Sequence, residues 1–153
     1  MLYIIIITLS FFLHAYIHEL SHLYMTKALV GVNSHRIRLY PHIDEHLGFV
    51  WASVYVDRKS EPTKLHAGLI YFAPRIANII FILLFATISL LSFEISVYIK
   101  IIIGASAIDL FIGSLGLSER SDLRMYSKFW SISPWLPRVA GVFSSIIFIA
   151  TII

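Results

Sequence analysis

Five consecutive residues near the start of the chain, His18-Glu19-Leu20-Ser21-His22, have the types and spacing of a metal site. Residues four apart on an α-helix differ by about 40° in azimuth, so His18 and His22 project from one face and can chelate one Zn²⁺ ion. The cation lowers the pKa of a water molecule toward neutrality, and Glu19 can accept the proton without binding the ion. The motif therefore predicts zinc-dependent peptide hydrolysis with Glu19 as the general base.

A third zinc ligand has to come from elsewhere in the chain, because a catalytic zinc usually has three protein ligands and one open position. The sequence contains no cysteine, which leaves His, Asp and Glu as candidates. Asp109 is the only acidic residue within a later hydrophobic segment, and we predict it as the ligand that joins His18 and His22. Its other interpretation is an ion-pair partner for Arg75.

Two further residues are kept as alternatives for the third ligand. His14 lies four residues before His18 on the same helical face and is interpreted as a polar neighbour of the site. Asp122 lies in the polar segment 118–133, where we expect it to be solvated, as we do for Glu119. The histidines of the insertion 31–64, His35, His42 and His46, are expected to be exposed in a loop, with a second metal site as a minor option.

The composition points to a membrane protein. Of the 153 residues, 58% are hydrophobic and only 14% are charged, and the mean hydropathy is +0.82. We predict a mainly α, polytopic fold in a single domain, 1–153. It has about four transmembrane helices, near 2–30, 65–93, 97–117 and 134–153, and a β-hairpin in the insertion 31–64. No basic residue precedes Lys27, so the first segment is interpreted as a span and not as a cleaved signal peptide.

The basic residues lie between the apolar blocks and form no continuous tract, which argues against nucleic acid as a partner. They concentrate in the two loops that a four-span topology places on one side. The positive-inside bias then predicts that both loops face the cytoplasm and that both termini lie outside. The short loop on the opposite side offers only Lys100.

The chain resembles the membrane-embedded zinc metalloproteases of the site-2 protease clan, in particular their small zincin-like branch. The resemblance consists of the His18 to His22 motif, a β-rich insertion, the segment Tyr71-Phe72-Ala73-Pro74 and the aspartate in Ile108-Asp109-Leu110. It implies intramembrane or membrane-proximal cleavage of a membrane protein or peptide. It also implies that His18, His22 and Asp109 hold the zinc and that Glu19 is the general base. The sequence departs from the family's usual Leu-Asp-Gly pattern around Asp109.

Two other functional classes use the same polar residues. A non-catalytic membrane protein could bind a metal or a client helix through the stripe that contains His18 and His22, and it would not need Glu19 for its function. Metal transport is the weaker alternative, because a relay across the membrane needs more intramembrane carboxylates than Glu19 and one other. Histidines near the end of a membrane helix can also simply contact water and lipid headgroups.

Overall fold

The structure is a computed structural model, and it describes residues 2–44, 48–50, 52–91, 97–116 and 121–152. The helices in these ranges are α1 (Leu2–Leu29), α2 (Lys64–Leu91), α3 (Val97–Leu115), α4 (Asp122–Trp130) and α5 (Trp135–Ile152). The strands are β1 (Val32–Arg38), β2 (His42–Asp44), β3 (Gly48–Val50) and β4 (Ser53–Arg58). The protein is therefore mainly helical, with a small β-region between α1 and α2.

Each of the four segments predicted to span a membrane is helical over most of its described residues. Two of the helices are long and apolar enough to cross a bilayer, α1 over Ile4–Leu29 and α2 over Lys64–Leu84. α5 contains a shorter apolar stretch, Trp135–Ala150. Residues 92, 93, 117 and 153, which the predicted spans included, lie outside the described residues.

The outer faces of the long helices carry large apolar side chains. Ile4 on α1 is 69% exposed and Leu136 on α5 is 73% exposed. Many polar side chains are instead buried between the helices. They are Ser10, His14, Glu19, Thr26, Arg75, Asn78, Ser106, Ser114 and Ser145. This distribution is unusual for a bundle in water, because extended apolar surface is normally removed from that solvent.

α1, which contains the His18 to His22 motif, packs against α2, α3 and β4. α2 also contacts α3 and α4, and α3 packs against α5. The predicted β-hairpin region contains two antiparallel pairs, β1 with β4 and β2 with β3. In the first pair Ile37 is opposite Val54, and β4 also contacts α1.

The prediction of a loop over 118–133 is wrong, because α4 forms within it. Gly116 ends α3 with a φ of +57°, a conformation that glycine adopts without steric cost. α4 then begins after Ser121 and buries Leu123 and Tyr126, which are at most 1% exposed. A nine-residue helix with one apolar face is stable here because that face packs on α2.

Aromatic side chains fix α4 against α2. Phe72 of α2 contacts both Tyr126 and Trp130 of α4, with ring centroids 5.1 and 5.4 Å apart. The indole of Trp130 lies directly over Gly68, where a Cβ atom would overlap it. The small residue at position 68 therefore sets the distance between the two helices.

Replacing Gly68 by alanine should destabilise the protein by about 1–3 kcal/mol, because the rigid indole of Trp130 would have to move. Thermal unfolding in detergent measures the change. Gly104→Ala is the matched control, since Gly104 is also inside a helix but has no neighbour within 4 Å of its Cβ position. It should be neutral or stabilising, as alanine is favoured over glycine in a helix. Equal unfolding temperatures for the two variants would contradict this account of the α2–α4 contact.

Candidate metal centre

Three side chains from two distant parts of the chain converge beside α1. The carboxylate of Asp122 lies with Oδ2 2.9 Å from Nε2 of His18 and 3.3 Å from Nε2 of His22. The two imidazole centroids are 5.2 Å apart. Within the described residues, His18, His22 and Asp122 form the group whose potential ligand atoms all lie within 4.8 Å of one another.

These distances fit a small tetrahedral cation. Bonds of 2.0–2.2 Å from zinc to nitrogen and oxygen place neighbouring ligand atoms about 3.3–3.6 Å apart in a tetrahedron. The separation of Asp122 from His22, 3.3 Å, lies in that range, and its separation from His18, 2.9 Å, is shorter, so these two groups would move apart by about 0.5 Å around an ion. Two imidazoles and one carboxylate also form a donor set that zinc accepts while keeping a fourth position open.

His22 is oriented by a backbone carbonyl of α2. Its Nδ1–H donates to the carbonyl oxygen of Ile70 at 2.8 Å. That carbonyl is available because Pro74, four residues further along α2, has no N–H with which to complete the helical hydrogen bond. The bond fixes the orientation of the His22 ring and places its Nε2 on the side of Asp122.

His18 is placed between two carboxylates. Its Nε2 faces Asp122, whereas its Nδ1 lies 3.6 Å from Oδ2 of Asp109. The same Asp109 oxygen accepts a 2.6 Å hydrogen bond from the side-chain amide of Asn78. Asp109 is thus held on the far side of the imidazole ring, where a carboxylate can orient a metal-binding histidine.

His14 belongs to a separate contact between α1 and α3. Its Nδ1–H donates to the carbonyl oxygen of Ser10 at 2.8 Å, and its Nε2 accepts from the hydroxyl of Ser106. Both ring nitrogens are therefore engaged within the bundle. This agrees with the interpretation of His14 as a polar neighbour of the site and removes it as a third ligand.

Glu19 faces the same cavity but lies outside the group of potential ligands. Its side chain is 9% exposed, and its carboxylate accepts a hydrogen bond from the backbone N–H of Val54. Val54 is in β4, so the strand outside the bundle positions a carboxylate of α1. A carboxylate in this place can act on a water molecule next to the metal position without binding the ion.

The electrostatic environment of Asp122 favours its ionised form. Burial alone would raise the pKa of this carboxyl, but the nearby His22 and the hydrogen bonds from both histidines outweigh burial and hold the pKa well below its usual range. Asp122 is also the first residue of α4, where the helix dipole stabilises a negative charge.

The expectation that Asp122 is solvated is wrong, because its side chain is only 22% exposed and contacts both histidines. Asp109 was the predicted third ligand, yet the structure brings it near His18 alone and leaves it out of the group with metal-ligand spacing. The physical reason is that Asn78 and the Nδ1 side of His18 hold its carboxylate away from His22. The alternative interpretation of Asp109, an ion pair with Arg75, is not observed among the described residues.

A sequence signal for Asp122 does exist. A serine followed by an aspartate, with apolar residues one and four positions later and a basic residue near the end, is typical of a short helix with a negative first turn. Ser121, Asp122, Leu123, Tyr126 and Lys128 follow that pattern. What the pattern cannot supply is the contact with α1, which depends on how α2 and α4 pack.

The other histidines of the first half do not add a second cluster within the described residues. His35 is exposed in β1, as expected. His42 is part of β2, where its Nδ1–H donates to the carbonyl oxygen of Tyr40 and its Nε2 lies 3.0 Å from the hydroxyl of Ser53. His46 and Glu119 lie outside the described residues.

The site opens into a cavity of about 1040 Å³ between α1, α2, α3, α4 and β4. His18, Glu19, His22, Asp109 and Asp122 lie at one end of it. The volume is enough for several residues of an extended peptide, and β4 borders the cavity with Ser53, Val54 and Val56.

Comparison of the chain with protein-family models, with curated proteins and with solved structures gives no match. The site is therefore interpreted from its own geometry.

The geometry predicts that Asp122 contributes more to metal binding than Asp109. Asp122→Ala should weaken zinc binding by more than about 100-fold, because it removes a potential ligand, whereas Asp109→Ala should cost about 10- to 100-fold through the orientation of His18. Competition with a chelator of known affinity measures both values. Asp57→Ala, at an exposed carboxylate of β4, is the control for net charge and should leave the affinity unchanged. The opposite ranking of Asp122 and Asp109 would restore Asp109 as the third ligand.

A second prediction concerns Pro74. In Pro74→Ala the new N–H competes with His22 for the carbonyl oxygen of Ile70, so zinc affinity should fall about tenfold or more while the helix itself is retained. Pro137→Ala is the matched control, because Pro137 lies in the first turn of α5, where its N–H would have no helical partner. Unchanged zinc affinity in Pro74→Ala would show that the freed carbonyl does not orient His22.

Proposed function

We propose that the protein is a membrane-embedded zinc metalloendopeptidase that cleaves peptide bonds within or near the bilayer. The observation that carries this proposal is the convergence of His18, His22 and Asp122, with Glu19 beside them in the same cavity but outside the ligand group. A purely structural cluster would have no need for a fourth ionisable group buried in the same cavity. Such groups are costly inside a bundle and are usually retained for function.

The bilayer in this proposal surrounds four helices, α1, α2, α3 and α5. Their exposed apolar faces and buried polar residues support it, since this distribution is favourable when hydrocarbon surrounds the bundle. α4 is amphipathic and has Asp122, Arg124 and Lys128 along a nine-residue helix, so it fits at the membrane surface. With the basic loops in the cytoplasm, the cavity would open toward that side.

Each polar residue around the cavity has a distinct part in the proposed reaction. His18, His22 and Asp122 hold the ion, and Ile70 and Asp109 orient the two imidazoles. A bound zinc ion supplies Lewis acidity, which polarises the scissile carbonyl and acidifies water. Glu19 accepts the proton of the attacking water and passes it to the leaving amine.

β4 offers a way to hold the substrate. Among the described residues it pairs only with β1, and its other edge runs along the cavity past Glu19. An extended peptide added to that edge would form backbone hydrogen bonds that do not depend on sequence. This arrangement suits an endopeptidase that acts on an unfolded segment of a membrane protein.

The resemblance to the site-2 protease clan supports the same conclusion through its motif and its Pro74 segment. In that clan two histidines and one aspartate hold the zinc, and we assign the aspartate's place in this chain to Asp122. Asp109 then has the orienting position. The assignment differs from the one that the sequence alone favours, and it rests on the distances from Asp122 to both histidines.

The proposal predicts that Glu19 and His18 fail in different ways. Glu19→Gln should retain zinc but lose at least about 100-fold in turnover, because the amide cannot accept a proton. His18→Ala should lose both zinc and turnover. Metal analysis of the purified protein and hydrolysis of a fluorogenic peptide in bilayer nanodiscs measure the two properties. Glu61→Gln, at an exposed position before α2, is the control and should change neither.

The same experiment separates the second functional class from the first. If the protein is a non-catalytic binder of metal or of a client helix, Glu19→Gln leaves its function intact, and the wild type shows no hydrolysis that depends on zinc. Loss of zinc from Glu19→Gln would mean that Glu19 is itself a ligand, and the proposed mechanism would then fail.

A further inference from the structure

A buried cation lies in the same cavity as the candidate metal centre, yet none of the steps above uses it. Arg75 follows Pro74 on α2, is 7% exposed and lines the cavity together with His18 and Asp122. An arginine inside a membrane helix is costly unless a partner compensates its charge. The partners of this side chain therefore indicate its role.

The contacts of Arg75 fix its position without neutralising it. Its Nη1 donates to the hydroxyl of Ser114 at 2.6 Å and to the carbonyl oxygen of Leu110 at 3.3 Å. Nη2 lies beside Gly113, where a Cβ atom would approach it to 3.0 Å. All of these neighbours belong to α3 and are uncharged. The guanidinium is thus held in one place by neutral groups.

No carboxylate forms an ion pair with Arg75 among the described residues. Asp109 is bonded to Asn78 and Asp122 contacts the two histidines, so the nearest acids are engaged at the metal end of the cavity. The buried Nε of Arg75 has no hydrogen-bond partner among the described residues. A buried guanidinium with an unused donor in a substrate-sized cavity is complementary to an anion.

The position of Arg75 along the cavity indicates whether its anion is the scissile carbonyl of the substrate or a substrate side chain. Its anchor Ser114 is five residues beyond Asp109 on α3, which is about 7 Å along the helix axis. The guanidinium is therefore displaced from the metal toward the turn at Gly116. A charge that develops on the scissile carbonyl would lie at the metal, whereas a substrate side chain a few residues away would reach Arg75.

The exposed side of the cavity, its mouth, has the same sign of charge. Lys128 of α4 and Arg58 of β4 line the cavity and are exposed, and the half-buried Arg124 lines it too. The acids that line the cavity, Glu19, Asp109 and Asp122, all lie at its metal end. A peptide that enters from the mouth would therefore pass cationic groups before it reaches the metal, which favours acidic segments.

We propose that Arg75 is a specificity-determining residue that binds an aspartate or glutamate side chain of the peptide substrate near the scissile bond. This rests on the proposed function, because it assigns a substrate preference to the same site. The guanidinium and the carboxylate form a charge-assisted hydrogen-bonded pair that is shielded from water in the cavity. Peptides with glutamine in place of the acidic residue lose this pair and leave the cation uncompensated.

Peptide binding tests the proposal independently of hydrolysis. The probes are dye-labelled eight-residue peptides of alanine and leucine with a single glutamate at each position in turn, and the same set with glutamine. Binding to zinc-loaded Glu19→Gln protein in nanodiscs is followed by fluorescence anisotropy. At one position, glutamate should bind at least tenfold more tightly than glutamine. Adding Arg75→Gln should abolish this preference, whereas Arg75→Lys, which keeps the charge, should retain part of it.

Arg36→Gln, at an exposed arginine of β1 that does not line this cavity, is the matched control and should retain the preference of the parent protein. Zinc content and thermal unfolding show whether each variant is folded, and Arg75→Lys keeps the test valid if Arg75→Gln is not. Absence of binding, no preference at any position, or a preference that survives Arg75→Gln overturns the proposal.

Hydrolysis of the same peptides by the wild type then separates the two proposals. Preferential binding of the glutamate peptide without hydrolysis would reject the peptidase and keep the acidic subsite. Hydrolysis of glutamate and glutamine peptides with equal kcat/KM, reduced equally by Arg75→Lys, would keep the peptidase and reject the subsite, and it would point to a role for Arg75 on the scissile carbonyl.

Discussion

The hydrogen bond from His22 to the carbonyl oxygen of Ile70 links the candidate metal centre to the architecture of the bundle. It exists because a proline at position 74 withdraws one N–H from the helical ladder of α2. A backbone carbonyl that is buried in a bundle without a hydrogen bond is energetically unfavourable, so it requires a donor. Here the donor is an imidazole, so a local defect in one helix fixes the orientation of a side chain in another. The packing of α1 against α2 and the geometry of the site are therefore set by the same contact.

The remaining polar residues of the site surround the two imidazoles that α1 places in the bundle. Two imidazoles side by side attract carboxylates, and Asp122 and Asp109 approach His18 from opposite sides of its ring. Asn78 satisfies Asp109, and the first turn of α4 stabilises Asp122. Both carboxylates near the histidines thus have partners that limit their desolvation cost. Arg75 differs from them, since its bonds are to neutral groups and part of its donor capacity is unused.

The sequence was sufficient to predict the parts of the protein that depend on local pattern. The apolar runs gave the positions of the four long helices, and the spacing of His18 and His22 placed both side chains on one face of α1. Asp122 was only an alternative third ligand in the sequence analysis, because its position depends on the aromatic packing of Phe72, Tyr126 and Trp130, which no local pattern contains. Asp109 was favoured for its depth in α3, but depth does not determine which nitrogen of His18 a carboxylate approaches. Similarly, alternation of polar and apolar residues indicated β-structure between α1 and α2 without showing that β4 would contact Glu19.

The candidate metal ligands on α1 and α4 lie far apart in the sequence, and this affects the stability that a bound ion would give to the protein. His18 and Asp122 are 104 residues apart, so an ion bound between them closes most of the chain into one loop. Such a cross-link lowers the conformational entropy of the unfolded chain as a disulfide would, although the chain has no cysteine. Without the ion, α4 is held by its packing on α2 and by the contacts of Asp122 with His18 and His22, and its detachment would expose the cavity to proteases. Under the proposed function, the supply of zinc in the cell would then affect how long each molecule persists, in addition to whether it can act.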